Sequence, residues 1–271
     1  MCMPKRKIGF LKTVKCASTS VQNILLRFAL KHNLSIVLPG KEKGNHDTLN
    51  VKYTINDWFE DQAEPQFGRH LIENTSWERA NITYHMFLLH TRWNHLEISN
   101  IMNRRGKENV FYFSILRDPV MLYRSFWDYY RLSQKYEKTL EEYAKTVISH
   151  YVLYNNMTWR PPGYNQMLHD FGMNFHDMIL RHTDYNGTKM IKNRVTKKLQ
   201  EIEESFDLIL LADEEHFEDG MVLLKHELCW DFEDIINVKR NVQTRVPRSN
   251  ISKEARKIIK GNKFHATQRI N

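Results

Sequence analysis

Nowhere does this chain hold a run near the ~18 to 20 apolar residues that cross a bilayer, and its start, MCMPKRK, lacks the apolar centre of a signal peptide. Taken by itself, the chain therefore reads as soluble. Cysteine is scarce: Cys2, Cys16 and Cys229 are odd in number and form no CxxC pair, which indicates neither a disulfide framework nor a zinc site. The histidines, His176 and His182 among them, show no metal-ligand spacing, so no metal is expected. Internal repeats, low-complexity tracts and a convincing linker are also missing, and the 271 residues are expected to form one globular domain. No aromatic stripe of the RNP kind, zinc finger or basic helix-turn-helix pattern points to nucleic acid.

Positive charge is what the chain does have. Its 40 Lys and Arg against 32 Asp and Glu leave a net charge of +8. That balance favours an anionic partner, without choosing among a nucleotide, an acidic glycan and a membrane surface. Asn-x-Ser/Thr sequons begin at Asn33, Asn74, Asn81, Asn156, Asn186 and Asn250, more than the composition would place by chance, and they point to a secretory-pathway protein.

Lys7 to Leu11 reads as a short buried strand. Ser18 to His32 reads as a helix, with Val21, Ile24, Leu25, Phe28 and Ala29 at helical spacing. Between them lies KTVKCASTS. Strand, tight polar loop and helix is the phosphate-binding entry of an α/β fold, because the N–H groups and dipole at a helix start attract an anion. Ala17, Ser18, Thr19 and Ser20 are small enough to let a phosphate approach the backbone, and Lys15 supplies a compact charge. The loop is not a Walker A loop, since GxxxxGK[ST] is absent and the loop has no glycine. A plain basic loop followed by a Ser cap fits the same residues.

Residues 39–82 are polar and weakly periodic and read as loops with short elements. YHMFLLHTRW is a second apolar run, ending at His90. NVFYFSILRDP, from Asn109 to Pro119, is the clearest buried strand, nearly all apolar as a parallel strand covered on both faces requires. Pro119 is placed to open a helix that continues to Arg131. Helices are expected at Leu140 to Tyr151 and Arg194 to Ser205. A strand and an amphipathic helix follow in FDLILLADEEHFEDGMVLLKHELCW. Strands alternating with helices give an α/β fold with a central parallel sheet flanked by helices. Arg117 leaves the buried strand at its carboxyl end and Ser125 lies about two helical turns on, so the pair can bracket a second phosphate. The competing reading is that Asp118 caps the helix and Arg117 pairs with it.

Together these motifs resemble the sulfotransferases that use 3′-phosphoadenosine 5′-phosphosulfate. FLKTVKCASTSVQNILLRF is similar to the FLKTHKTASTTLLNILFRF type of loop in the galactose-3-O-sulfotransferase family, which includes the galactosylceramide sulfotransferases. HTRWNHLEI, SILRDPVMLYRSFWDYY, PPGYNQMLHDFGM and FDLILLADEEHFEDGMVLLKHELCWDFEDI fit the same family, so the resemblance covers about Lys7 to Arg248. It implies a P-loop-like sulfotransferase fold, with residues 1–271 a single catalytic domain that moves sulfuryl to the 3-hydroxyl of a galactosyl residue. Lys12, Thr13, Lys15, Ala17, Ser18, Thr19 and Ser20 would form the 5′-phosphosulfate cradle, with Lys15 neutralising the leaving phosphate. Arg117 and Ser125 would hold the 3′-phosphate. His90 would be the general base, with His95 in reserve, and Arg92, Asn94 and His95 would serve the acceptor. The resemblance also implies metal-free chemistry and a galactose-terminated glycolipid or glycan acceptor. The family's catalytic domain lies in the Golgi lumen, and membrane association is expected only through an N-terminal anchor missing from this chain. Two departures stand out, Cys16 where the family has Thr and Val14 where it often has His. The start close to the first strand and the end at KFHATQRIN suit a piece of a longer protein. The rival readings are another phosphate-loop enzyme, such as a nucleotide kinase, and a non-enzymatic protein that binds acidic glycans.

Overall fold

The computed structural model describes residues 2–37, 84–103, 109–144, 166–173, 185–213, 215–236, 249 and 251–261. Its strands are β1 (Ile8–Leu11), β2 (Ile36–Val37), β3 (Met86–Phe87), β4 (Phe111–Leu116) and β5 (Leu208–Leu211). They form one sheet in the order β2-β3-β1-β4-β5, with every pairing parallel, as the alternation of strand and helix patterns indicated. The helices are α1 (Ser18–Lys31), α2 (His95–Met102), α3 (Pro119–Tyr129), α4 (Leu132–Tyr136), α5 (Gln166–Asp170), α6 (Tyr185–Ser205), α7 (Phe217–Leu228), α8 (Phe232–Ile235) and α9 (Lys253–Gly261).

The chain divides into two compact units. The first comprises Met1–Leu116, Asp170–Gly172 and Glu201–Lys239 and holds the whole sheet. Its central strand β1 is buried from end to end, and β4 beside it is buried at all positions but the last, which is why both read as nearly unbroken apolar runs. Gly9 pairs with Tyr112 across these strands, and a Cβ at Gly9 would run into the Tyr112 ring. Phe10 and Phe113 stack at 4.8 Å between ring centroids. All five apolar positions that marked α1 in the sequence are buried. A second set of aromatic side chains, Trp93, Tyr112, Phe171 and Phe206, packs with Leu11, Phe87 and Ile98. Truncating one such ring to alanine costs ~3 to 5 kcal/mol.

Two of the cysteines, whose number indicated no framework, are joined. Cys2 and Cys229 form a disulfide with their Cα atoms 5.7 Å apart. Backbone contacts support the link: Lys5 N–H donates to the Leu228 carbonyl at 2.9 Å, and the Trp230 indole donates to the Lys5 carbonyl at 3.0 Å. Trp230 in turn stacks on Phe28 of α1. Cys229 takes a left-handed conformation just after α7, which turns the chain at that point.

The second unit comprises Arg117–His169, Met173–Gln200 and Arg240–Asn271. Val120, Tyr123 and Trp127 of α3 pack there with Leu132, Leu140, Tyr143, Ala144 and Ile259. The Ser249 hydroxyl donates to the Asp128 carboxylate at 2.6 Å. Helix α3 ends at Tyr129 rather than Arg131, because Arg131 turns into the left-handed region with φ 50°. Helix α6 begins nine residues ahead of the expected Arg194. Residues 140–144 are helical as expected, while 145–151 and the loops expected over 39–82 lie outside the described residues.

Candidate active site

Strands β1 and β3 are parallel neighbours, so the segments leaving their carboxyl ends emerge side by side, at the edge where open α/β sheets bind ligands. The first segment is the loop Lys12–Ala17 and the second is Leu88–His90. The sequence placed a phosphate cradle on one and a base on the other, and the fold brings them into contact: His90 Nδ1 lies 2.6 Å from the Lys12 carbonyl oxygen. A carbonyl only accepts, so Nδ1 carries the proton and the lone pair sits on Nε2. Burial pushes the His90 pKa down to about 3, with the nearby Lys12 and Lys15 charges adding to the effect, so the ring is neutral near pH 7.

The loop is held from within. The Thr13 hydroxyl donates to the Ile115 carbonyl, the Ser18 hydroxyl to the Thr13 carbonyl at 2.5 Å, and the Val14 N–H to the Asp170 carboxylate at 2.9 Å. Lys12 is buried, and its ammonium donates to the Gln22 side chain at 2.8 Å. Burial lowers the Lys12 pKa to about 8. Cys16 is fully buried and its thiol faces the Val14 carbonyl at 3.4 Å. The Thr-to-Cys departure therefore sits on the inner side of the loop, closed off from solvent.

Facing outward are half-buried Lys15, exposed Ala17 and half-buried Thr19 and Ser20. Lys15 and Ala17 adopt left-handed conformations, with φ 62° and 55°. Such a conformation costs an L-residue ~1 to 2 kcal/mol and persists where the surroundings enforce it, as they often do at functional loops. Ala17 caps α1 without a side-chain hydrogen bond, and no acidic residue stands in the first turn. The positive end of α1 is thus left uncompensated by the loop's own side chains.

The remaining expected residues divide by location. Arg92 is buried and donates to the Gly172 carbonyl at 2.8 Å. Asn94 caps α2, accepting from the Glu97 N–H at 3.3 Å. His95 opens α2 with its ring 4.8 Å from that of Tyr112, and burial lowers its pKa. Arg117 and Ser125 belong to the second unit, Ser125 half-buried on α3. Asp118 caps that helix by accepting from the Val120 and Met121 N–H groups. Among the described residues, no group of three or more His, Cys, Asp or Glu is placed to hold a metal.

Sequence reasoning missed two residues of the loop's support, Asp170 and Gln22. Asp170 lies in the HDFG stretch, where its carboxylate fixes Val14 and its carbonyl accepts from the Trp93 N–H at 2.7 Å. Gly172, at φ 94°, sits so close to the Trp93 carbonyl that any side chain would collide with it. An acid two residues ahead of a glycine, in a motif otherwise read only as family resemblance, was the available signal.

A parallel sheet whose central strand feeds a basic loop and a helix without a side-chain cap defines an α/β protein. Comparison with known proteins specifies which: a family model described as Galactose-3-O-sulfotransferase matches residues 1–266, and the chain belongs to that family. It is 30% identical to Galactose-3-O-sulfotransferase 2 of Mus musculus over 94% of this chain and 58% of the relative. With the Galactosylceramide sulfotransferase of Homo sapiens the identity is 26%, over 93% of this chain and 52% of the relative. Galactose-3-O-sulfotransferase 3 of Mus musculus is 26% identical, over 87% and 48%. The chain spans about half the length of the curated relatives it matches.

Proposed function

We propose that this chain carries the catalytic domain of a galactose 3-O-sulfotransferase that uses 3′-phosphoadenosine 5′-phosphosulfate. The observation that carries the proposal is the contact between His90 and the loop that bears Lys15. The acceptor 3-hydroxyl attacks sulfur as its proton passes to His90 Nε2. The new O–S bond forms while the bond from sulfur to the 5′-phosphate oxygen breaks, and Lys15 offsets the charge left on that oxygen. Burial is the main cause of the low His90 pKa, and an anionic donor beside Lys15 offsets the smaller, cationic part of it. In this reading Thr13 and Ser18 shape the cradle through backbone contacts, and the start of α1 meets the 5′-phosphate. Arg117 and Ser125 take the 3′-phosphate, an assignment supported by the family motif. That one family model runs through both units supports treating them as one catalytic domain.

The acceptor is a galactose-terminated glycolipid or glycan, and the site of action is the Golgi lumen. A disulfide between Cys2 and Cys229 and the six sequons suit an oxidising, glycosylating compartment. No helix among the described residues is long and apolar enough to cross a membrane.

The test is calorimetry with adenosine 3′,5′-bisphosphate against adenosine 5′-phosphate, joined to transfer assays over galactosylceramide, lactosylceramide and galactose-terminated N- and O-glycans. The bisphosphate is expected to bind more tightly, and Arg117→Ala to erase that preference. His90→Ala is expected to keep binding and lose transfer. A folded chain that ignores the bisphosphate and instead turns over magnesium ATP would overturn the proposal in favour of a kinase.

A further inference from the structure

Gln22 is a buried amide on a helix, among the buried side chains of Ser18, Val21, Ile24, Leu25, Phe28 and Ala29. Burying an amide is unfavourable unless both of its ends are hydrogen-bonded, and here both are. Oε1 accepts from the Lys12 ammonium at 2.8 Å, and Nε2 donates to the Leu88 carbonyl at 2.8 Å. An ammonium only donates and a carbonyl only accepts, so one orientation of the amide alone satisfies both. Lys12 in turn accepts from His90 Nδ1 through its backbone carbonyl, and His90 stands two residues after Leu88. These contacts close a ring that runs from Gln22 to Lys12, His90, Leu88 and back to Gln22.

We propose that Gln22 is the positioning residue of His90, holding the Lys12 peptide and the Leu88–His90 segment at the spacing that fixes the Nδ1–H form of the ring and the direction of Nε2. The inference rests on the proposed role of His90 as base. Among the described residues, the charged groups that act on His90 are Lys12 and Lys15, both on the loop after β1. Gln22 therefore acts on the histidine in two ways, by holding its hydrogen-bond acceptor in place and by holding the Lys12 ammonium at a set distance.

The variants are Gln22→Met, which keeps the volume and removes both hydrogen bonds, and Gln22→Glu, which keeps an acceptor for Lys12 but brings a negative charge. The first measurement needs no activity: long-range proton–nitrogen correlation NMR of the His90 ring in the unliganded protein. The wild type is expected to show the Nδ1–H form alone, and Gln22→Met a mixture of the two forms. The second is the pH dependence of sulfuryl transfer. Gln22→Met is expected to lower kcat about tenfold with the KM for the sulfate donor within twofold. Gln22→Glu is expected to move the acid limb of kcat/KM to higher pH, because its carboxylate offsets Lys12. A role in folding alone would lower thermal stability and leave the ring form and the acid limb where they were, and that result overturns the inference. So does an unchanged His90 spectrum in Gln22→Met, whatever the enzyme does. If the spectrum changes but the wild type transfers no sulfuryl, the proposed reaction falls and the positioning role stands.

Discussion

The chain passes from strand to helix in two contrasting ways. After β1, α1 opens on left-handed Ala17 with no side-chain cap and no acid in its first turn. After β4, α3 opens on Asp118, whose carboxylate takes the Val120 and Met121 N–H groups at 3.0 and 3.1 Å, with Pro119 behind it. Every helix start presents N–H groups that its own turns cannot satisfy, together with partial positive charge. The second junction meets two of them with a side chain; the first offers no side-chain acceptor, and its Ser20 N–H turns back on the Ala17 carbonyl at 2.9 Å. An anion at the first junction can thus use backbone. Near the second it meets a carboxylate, so attraction there falls to side chains such as the Arg117 guanidinium. Two phosphate sites proposed for one donor are in this way of different physical kinds.

The comparison breaks most visibly at Lys15. Replacing it with alanine removes the cation of the open junction, and transfer is expected to fall ~10²- to 10³-fold, the usual effect of losing one transition-state donor. Steady-state kinetics within tenfold of wild type would show that the loop backbone alone does the work.

The next effect is on stability and comes from the histidine against the same loop. The folded His90 pKa, about 3, lies below the ordinary value near 6.5, so between those two the unfolded chain binds a proton that the folded chain refuses. The stabilisation is complete above pH 6.5 and is lost as the pH falls toward 3, amounting to a few kcal/mol at about 1.4 per unit. Thermal denaturation of the unliganded protein from pH 7 to 4 should therefore fall less steeply in His90→Gln than in wild type. Parallel curves would mean that His90 does not stay neutral.

The smallest effects come from exchanging the characters of the two junctions. Ala17→Asp puts a carboxylate at the open helix start and should weaken adenosine 3′,5′-bisphosphate roughly tenfold, while Ala17→Asn, which tolerates the left-handed conformation equally well, should not. Asp118→Ala removes a cap and should cost about 1 kcal/mol of stability with little change in that binding. Equal binding by the two Ala17 variants would show that no anion uses the first junction.

Strands β1 and β4 and helices α1 and α3 were legible because their signals are local, while β2 and the short helix α2 were not read from the sequence. The apolar face of α1 and the run through β4 recur within a few residues, and the proline of α3 marks its first turn directly. The loop proposed as the cradle was legible as a position between strand and helix. Its internal bonding was not, since Asp170 reaches Val14 across 156 positions and Gln22 reaches Leu88 across 66. A buried glutamine in a helix looks in sequence like any polar residue on an outer face, and only the neighbours supplied by the fold separate the two. The disulfide escaped for the same reason. Three cysteines without a spacing motif carry no pairing information, and the 5.7 Å that permits the bond is a property of the folded sheet and α7.

That bond has a mechanical consequence. Cys2 lies ahead of β1 and Cys229 just beyond α7, so the backbone between them is a closed hoop of 227 residue steps. Tension applied at Cys2 is shared between the backbone leading to Ile8 and the sulfur link to the end of α7. The central strand, with Lys12 and Lys15 at its exit, therefore cannot be drawn out from that side unless the end of α7 moves with it.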